Sequence, residues 1–289
     1  MKNRYLLLLC PVLALLCISC GENGSTELDD VSQKGTTVIT ANIESLLLGE
    51  GTRTWPEGAY VGVFGSKSGT NEKYVLKKAG IGLDVADFYG PLVSGETIAA
   101  YYPWSDAYTG RAEAMPMAVP TAQEYADTSA LAIFDKYCPT AYACMKDGSM
   151  SFFYPAGLLK VSIELPDTLM VSSITFSTPG SAVAGKGAIL PDGSTEMAGG
   201  AAETIVLNCS EPVSTILPED RFTAFHITTL PGTFASANLI IYALGEDPIV
   251  CTLDGITIPR IDAREYKLAS VKVQAGGPQG FTINEQEFD

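Results

Sequence analysis

The sequence predicts an all-β protein built as two tandem β-sandwich domains. Short runs in which apolar and polar residues alternate recur along the chain, with turn residues between them. No segment of ten or more residues shows clear helical amphipathicity. A length of 289 residues is enough for two domains of about 100 to 150 residues, each with its own hydrophobic core.

The first residues predict an export signal with a lipid anchor. Lys2 and Arg4 precede an apolar run that ends at Ile18, which is shorter than the roughly 20 residues that a membrane-spanning helix needs. The following sequence is similar to a bacterial lipobox, although Cys17 replaces the usual leucine, and Cys20 is the predicted lipidation site. Acyl chains on Cys20 would attach the protein to a membrane without a spanning helix. A plain signal peptide that is cleaved nearby is the alternative.

Five regions follow from these patterns. Residues 1–19 form the predicted signal peptide, and residues 20–35 form a solvated tether with four acidic side chains and few apolar ones. We predict an N-terminal sandwich over 36–150 and a C-terminal sandwich over 151–275. The remaining residues, 276–289, form a predicted tail.

The N-terminal sandwich begins with two alternating runs joined by an exposed connector. In the first run Ile39, Ala41, Ile43 and Leu47 share one face, and the second run extends from Tyr60 to Phe64. The connector between them holds three glycines and a proline, a composition typical of exposed loops, so Arg53 within it is predicted to be accessible to a protease. A cut there would free the first strand, and the hydrophobic groove that it leaves would accept a strand from another copy.

The later runs predict strands over both domains. Residues 122–133 are predicted to form one or two helical turns within this series. The predicted strands cover 73–77, 97–102, 114–119, 150–154, 158–165, 171–176, 204–209, 221–228, 237–243, 249–253 and 266–273.

Charge and cysteine content limit the partners. With 18 basic and 33 acidic residues the net charge is −15, which repels nucleic acid and anionic lipid head groups. We therefore expect no nucleic-acid partner and membrane contact through the lipid anchor only. Four cysteines follow the predicted lipidation site Cys20, and they allow three disulfide pairings or buried thiols, between which the sequence does not choose. They are Cys138, Cys144, Cys209 and Cys251.

The patterns that resemble catalytic motifs are incomplete. Gly180 to Lys186 has the spacing of a phosphate-binding loop, but Gly187 stands where Ser or Thr would bind magnesium, and no helix follows. His226 is the single histidine and lies in an apolar run, which predicts a sheet position and excludes zinc sites built on paired histidines. We predict no catalytic residue, no metal site and no cofactor.

Several blocks, taken in order, resemble one family. The chain is similar to fimbrillin-type subunits of the type V pili of Bacteroidetes, although Ala59 and Tyr154 depart from the residues common there. The blocks that carry the resemblance are the lipobox at Cys20, Thr52-Arg53, Glu57 to Phe64, Ala99 to Trp104, Phe152 to Val161, Val171 to Phe176 and Ala184 to Gly187.

The resemblance implies a fold, a location and a mode of assembly. The two sandwiches are expected to be transthyretin-like, and the protein is expected at the outer-membrane surface and in a fimbrium. A trypsin-like protease is expected to cut after Arg53, and other pilin subunits are the expected partners in donor-strand exchange. Arg53 as an ordinary loop cation in an uncut subunit is the alternative.

The tail and an aromatic cluster each leave two interpretations open. Phe281 and Ile283 share a face in an extended chain and form a candidate donor strand, whereas a frayed tail is the alternative. The cluster Tyr101 to Trp104, with Tyr108 nearby, is compatible with a surface lipoprotein that binds glycans through exposed aromatics without polymerising. Core packing is the competing explanation of the cluster.

Overall fold

The computed structural model describes residues 36–43, 54–67, 71–128, 130–217, 221–261, 267–274 and 286–287. In this part of the chain strands dominate, α1 (Ala130–Tyr137) is the one α-helix, and Lys78–Gly80 form a single 3-10 turn. The all-β prediction is confirmed.

Seven strands of the N-terminal half close into a barrel. They are β1 (Thr36–Asn42), β2 (Tyr60–Gly65), β3 (Glu72–Leu76), β4 (Val85–Pro91), β5 (Thr97–Tyr102), β8 (Ala141–Lys146) and β9 (Ser149–Ser151). Their order around the barrel is β1-β4-β3-β2-β5-β8-β9. Neighbouring strands are antiparallel except for β9 and β1, which pair in parallel and complete the ring.

Two larger sheets and two small ones follow. Their strands are β6 (Met115–Val119), β7 (Ala122–Glu124), β10 (Gly157–Glu164), β11 (Met170–Ser177), β12 (Gly185–Ile189), β13 (Thr195–Met197), β14 (Thr204–Ser214), β15 (Ile216–Leu217), β16 (Arg221–Phe222), β17 (Ala224–Thr229), β18 (Gly232–Ala243), β19 (Ile249–Ile258), β20 (Lys267–Gln274) and β21 (Gln286–Glu287). The larger sheets have the orders β17-β10-β20-β21 and β19-β18-β11-β14-β7. The smaller ones are β13-β12-β6 and β15-β16.

Strands near residue 120 belong to the later sheets. β6 pairs with β12, and β7 pairs in parallel with β14, although both lie before residue 150 in the chain. The helical turns predicted over 122–133 are wrong for the first three residues, which form β7, and α1 begins only at Ala130. The division into domains at 36–150 and 151–275 stays a prediction.

Alternating burial connects the sequence pattern to the core. In β10 the buried Leu159, Val161 and Ile163 alternate with half-buried polar residues. These side chains belong to one hydrophobic cluster that also includes the interior of the barrel. Because apolar burial contributes roughly 25 cal/mol per Å², this shared core is the main stabilising term of the fold.

Candidate functional site

β1 is the strand that closes the barrel. It pairs antiparallel with β4 along its whole length, from Thr36 opposite Pro91 to Asn42 opposite Val85. On its other side residues 40–42 pair in parallel with β9. Removal of β1 would therefore open the barrel between β4 and β9 and leave an unpaired edge on each of them.

The buried face of β1, continued by Ile43 directly after the strand, fills the barrel with three apolar side chains. Ile39, Ala41 and Ile43 are buried, at 4%, 0% and 0% exposure. Ile39 lies opposite Phe88 of β4, and Ala41 lies opposite Met150 of β9. A strand that replaced β1 would have to present apolar side chains two residues apart, because alternate residues of a strand share a face.

Hydrogen bonds fix the outer face of β1 at its centre. The Thr40 hydroxyl donates to a carboxylate oxygen of Asp87 at 2.9 Å, and Lys77 Nζ lies 3.2 Å from the other oxygen. Val38 on the same face is 42% exposed. The outer face of β1 is therefore bonded to β4 and its neighbourhood at Thr40 and exposed to solvent at Val38.

Trp55 lies beneath β1, and the sequence prediction that it is exposed is wrong. The glycine-rich connector predicted an exposed loop, but Trp55 within it has no exposed surface. Its indole Nε1 donates to the carbonyl oxygen of Ala41 at 3.3 Å. Its rings contact Phe88, Tyr102 and Phe152 nearly edge-on, with centroids 4.7, 5.2 and 5.7 Å away. The large aromatic residue itself was the signal that this end of the connector is buried.

The two ends of the connector are held side by side. The amide of Ile43 donates to the carbonyl of Asp84 at 3.0 Å, and the amide of Trp55 donates to the carbonyl of Leu83 at 2.8 Å. Gly82 in turn donates to the carbonyl of Trp55 at 2.9 Å. The hydrogen bonds of β1 with β4 and those of Trp55 with Leu83 and Gly82 therefore do not depend on a covalent link through residues 44–53.

The four residues predicted to carry function lie outside the described part of the chain. They are Cys20, Arg53, Phe281 and Ile283. Lipidation of the first, cleavage after the second and strand donation by the last two stay predictions.

The aromatic cluster does not form the exposed platform that glycan binding would need. Tyr101 is fully buried and stacks on Tyr108 with ring centroids 3.8 Å apart. Trp104 is only partly exposed and packs against the core. Lys73 Nζ lies 4.6 Å from the Trp104 ring centroid and 3.7 Å from that of Tyr60, so a cation already occupies this aromatic surface.

The four cysteines after Cys20 are free thiols. Burial raises the pKa of Cys138 to about 12 and that of Cys209 to about 11, so neither thiol is appreciably ionised at neutral pH. Within the described residues no three His, Cys, Asp or Glu side chains are grouped as metal ligands. Likewise, that part of the chain contains no helix with the length and apolar character needed to cross a membrane.

His226 is buried in β17, as the sequence predicts for a sheet position. It is 9% exposed and lies opposite Lys160 of β10. Burial lowers the pKa of His226 to about 4, and the positive charge of Lys160 adds to this effect. The imidazole is therefore neutral in the folded protein at physiological pH.

We expect acid to destabilise the protein partly through His226. The unfolded chain takes up this proton near pH 6.5 and the folded chain only near pH 4, so the free energy of unfolding falls as pH decreases through this window. The full effect is about 3 kcal/mol. Urea unfolding of the wild type and of His226→Gln at several pH values measures it, since His226 is the single histidine. Parallel pH profiles of the two proteins would contradict the prediction.

Comparison with solved structures bears on the fold. The chain is similar to a candidate cell adhesion protein from Bacteroides ovatus, with a TM-score of 0.50 at 14% sequence identity, over 86% of this chain and 95% of that one. The two chains share a fold. The all-β fold class that the resemblance to fimbrillin-type subunits implies is confirmed by the strands of the structure.

Two further structures match with lower scores. A candidate cell adhesion protein from Bacteroides uniformis has a TM-score of 0.48 at 14% identity, over 89% of this chain and 99% of that one. The tip fimbrial protein Mfa3 from Porphyromonas gingivalis, with C-terminal truncation, has a TM-score of 0.42 at 8% identity, over 88% and 99%. No protein-family model and no curated protein matches the sequence.

Proposed function

We propose that the protein is an adhesive subunit of a cell-surface fimbria that polymerises when β1 is replaced by a strand of a neighbouring subunit. The observation that supports this most is the place of β1, which bridges β4 and β9 and buries Ile39 and Ala41, with Ile43 buried directly after the strand. A fold shared with a candidate cell adhesion protein supports the adhesive part of the proposal. The protein needs no catalysis or cofactor for this work.

The proposed sequence of events begins with export and ends with exchange. The protein reaches the outer-membrane surface as a lipoprotein acylated on Cys20, and a trypsin-like protease cuts after Arg53. The cut makes β1 a separate polypeptide that is held only by hydrogen bonds and apolar contacts. An incoming strand then forms the same ladder with β4 and β9, so the exchange loses few hydrogen bonds.

The tail of another subunit is the proposed incoming strand. Phe281 and Ile283 have the two-residue spacing of the buried face of β1. The smallest side chain that now fills the groove is that of Ala41, which lies between two buried isoleucines. A host or bacterial surface ligand completes the adhesive role, and subunits of the same fimbria are the assembly partners.

Limited proteolysis tests the proposal. Trypsin treatment of the purified full chain is expected to give a new N-terminus at Thr54 and a ladder of oligomers on electrophoresis. Arg53→Ala is expected to stay monomeric under the same treatment. Arg111→Ala is the control, because it changes an exposed arginine between β5 and β6, and it is expected to behave as the wild type. Cleavage at Arg53 without any oligomers, or oligomers from Arg53→Ala, would contradict the proposed mechanism.

A further inference from the structure

A large cavity lies beside β6 and β12. Its volume is about 890 Å³, within the range of roughly 300 to 1,000 Å³ that is typical of small-ligand sites. Residues 116–122 line one part of it, residues 185–187 of β12 line another, and the end of α1 with residues 138–140 lines a third. We call it the β6–β12 cavity, and it is large enough to hold a small organic molecule.

The charged side chains in the lining of this cavity are basic. Lys136 in the last turn of α1 and Lys186 in β12 are both exposed, and none of the described lining residues is acidic. The chain as a whole has 33 acidic and 18 basic residues, so this lining differs from the average surface of the protein. A ligand that carries negative charge complements it.

Lys136 is positioned by two neighbours. Its Nζ lies 3.6 Å from a carboxylate oxygen of Glu124 and 5.2 Å from the ring centroid of Tyr137. Both side chains of the ion pair are exposed, so water screens the attraction between them and the pair is weak. An ammonium group has three donors, and Lys136 can therefore bind a ligand carboxylate while it stays near Glu124.

Hydrogen bonds hold the rings of the lining in place. The Tyr137 hydroxyl accepts from the amide of Glu124 at 2.5 Å and donates to the carbonyl of the same residue at 3.2 Å. The Tyr142 hydroxyl donates to the carbonyl of Pro116. Pro116 and Pro120 add apolar rings that have no amide donor. The cavity thus offers a preorganised apolar surface against which the C–H groups of a ligand ring can pack.

Polar groups complete the lining. Thr121 and Thr140 contribute hydroxyls, and Gly199 and Gly200 contribute backbone that no side chain covers. A Cβ atom on Gly199 would meet no heavy atom within 4 Å, so a ligand can approach the backbone there. Hydroxyls and backbone groups of this kind bond to ligand groups that both donate and accept, as the hydroxyls of a sugar do.

We propose that the β6–β12 cavity binds a sugar that carries a carboxylate, presented by an acidic surface glycan. The carboxylate pairs with Lys136 and Lys186, the sugar ring packs on the rings of Tyr137 and the prolines, and its hydroxyls bond to the polar lining. The assignment of this sugar as the adhesion ligand rests on the proposed function. The binding itself needs no strand exchange, because one uncut chain supplies the whole lining.

A nuclear magnetic resonance titration of the uncut full chain tests the site. Glucuronic acid and N-acetylneuraminic acid are expected to shift the amide signals of 117–119 and 185–187, and glucose is expected to bind about tenfold more weakly because it lacks the charge. The proposal would be overturned if neither acid shifted these signals, or if glucose bound as tightly as the acids. N-acetylglutamate represents an acidic peptide, and equal affinity for it would overturn the assignment of a sugar.

Two double variants test the role of the lysines. Lys136→Ala with Lys186→Ala is expected to lower the affinity for glucuronic acid about tenfold. Lys78→Ala with Lys146→Ala is the control, because it removes two exposed lysines outside the cavity and changes the net charge equally, and its affinity is expected to stay within about twofold of the wild type. An equal loss in both double variants would contradict a specific site.

The two proposals fail separately. Sugar binding is measured on the uncut protein, and polymerisation is measured by the oligomer ladder after trypsin treatment. A ladder without sugar binding would overturn the sugar site and leave assembly by strand exchange standing. Sugar binding without a ladder would support the sugar site and contradict the proposed assembly.

Discussion

Replacement of Trp55 with alanine is expected to lower the free energy of unfolding by about 3 to 5 kcal/mol, the usual cost of truncating a fully buried tryptophan. Trp55 has no exposed surface and contacts the rings of Phe88, Tyr102 and Phe152. The substitution also removes the hydrogen bond to the carbonyl of Ala41 in β1. The expected loss combines a cavity at the end of the barrel with a weaker attachment of β1.

Two variants separate these contributions. Trp55→Phe keeps most of the ring contacts and removes the indole donor, so we expect a loss of about 1 to 2 kcal/mol. Trp104→Ala is the matched control, because it removes the other tryptophan, which is only partly buried. Urea unfolding followed by circular dichroism compares the proteins without depending on tryptophan fluorescence. A loss at Trp55 no larger than that at Trp104 would contradict the assigned role.

Trp55 also explains why cleavage and exchange are separate steps in the proposed mechanism. Its amide and carbonyl are bonded to Leu83 and Gly82, so the chain that follows the connector stays fixed whatever happens to the bond after Arg53. β1 keeps its own ladder with β4. In the proposed mechanism a cut therefore changes the connectivity and leaves the groove filled, and the apolar interior stays covered until an incoming strand arrives.

Strands with a local alternating pattern were predictable from the sequence. β5 has the predicted bounds, Thr97–Tyr102, β1 buries the predicted Ile39, Ala41 and Ile43, and β10 agrees with the strand predicted over 158–165 to within one residue at each end. In each case burial on one face of the sheet imposes a period of two on the sequence, so neighbouring residues alone contain the information.

Features that depend on distant pairing were not predictable. β4, Val85–Pro91, was missed because it ends in Gly90 and Pro91, although it is the main partner of β1. The pairing of β6 with β12 and of β7 with β14 joins segments that are far apart in the chain, and no local pattern specifies it. The closure of the barrel was missed for the same reason, because β9 pairs with β1 from about 100 residues away in the chain. The sequence therefore predicted β1 itself, but it did not predict β4, which pairs with β1 along its whole length.

Gln123 shows how a single polar side chain can connect two sheets without a sequence signal. Its carboxamide nitrogen donates to the carbonyl of Thr228 at 2.6 Å and to that of Pro120 at 3.3 Å. Its carboxamide oxygen accepts from the amide of Thr228 at 3.0 Å. Gln123 is 1% exposed and belongs to β7, while Thr228 belongs to β17 of the other large sheet. The side chain thus pairs with the edge of β17 as a neighbouring strand would.

Gln123→Leu is expected to lower the free energy of unfolding by about 4 kcal/mol, because it leaves the amide and the carbonyl of Thr228 buried without partners, at about 2 kcal/mol each. Gln274→Leu is the surface control, since Gln274 is exposed and its amide donates to a carboxylate oxygen of Glu164, and we expect a loss within about 0.5 kcal/mol. Gln123→Glu distinguishes hydrogen bonding from side-chain volume. A carboxylate there faces the Thr228 carbonyl and repels it, whereas a protonated carboxyl donates to it, so the penalty relative to the wild type should shrink as pH falls. Urea unfolding at pH 7 and pH 5 measures the free energy of unfolding of all three variants. If the loss of stability caused by Gln123→Glu does not change with pH, packing and not hydrogen bonding holds β7 against β17.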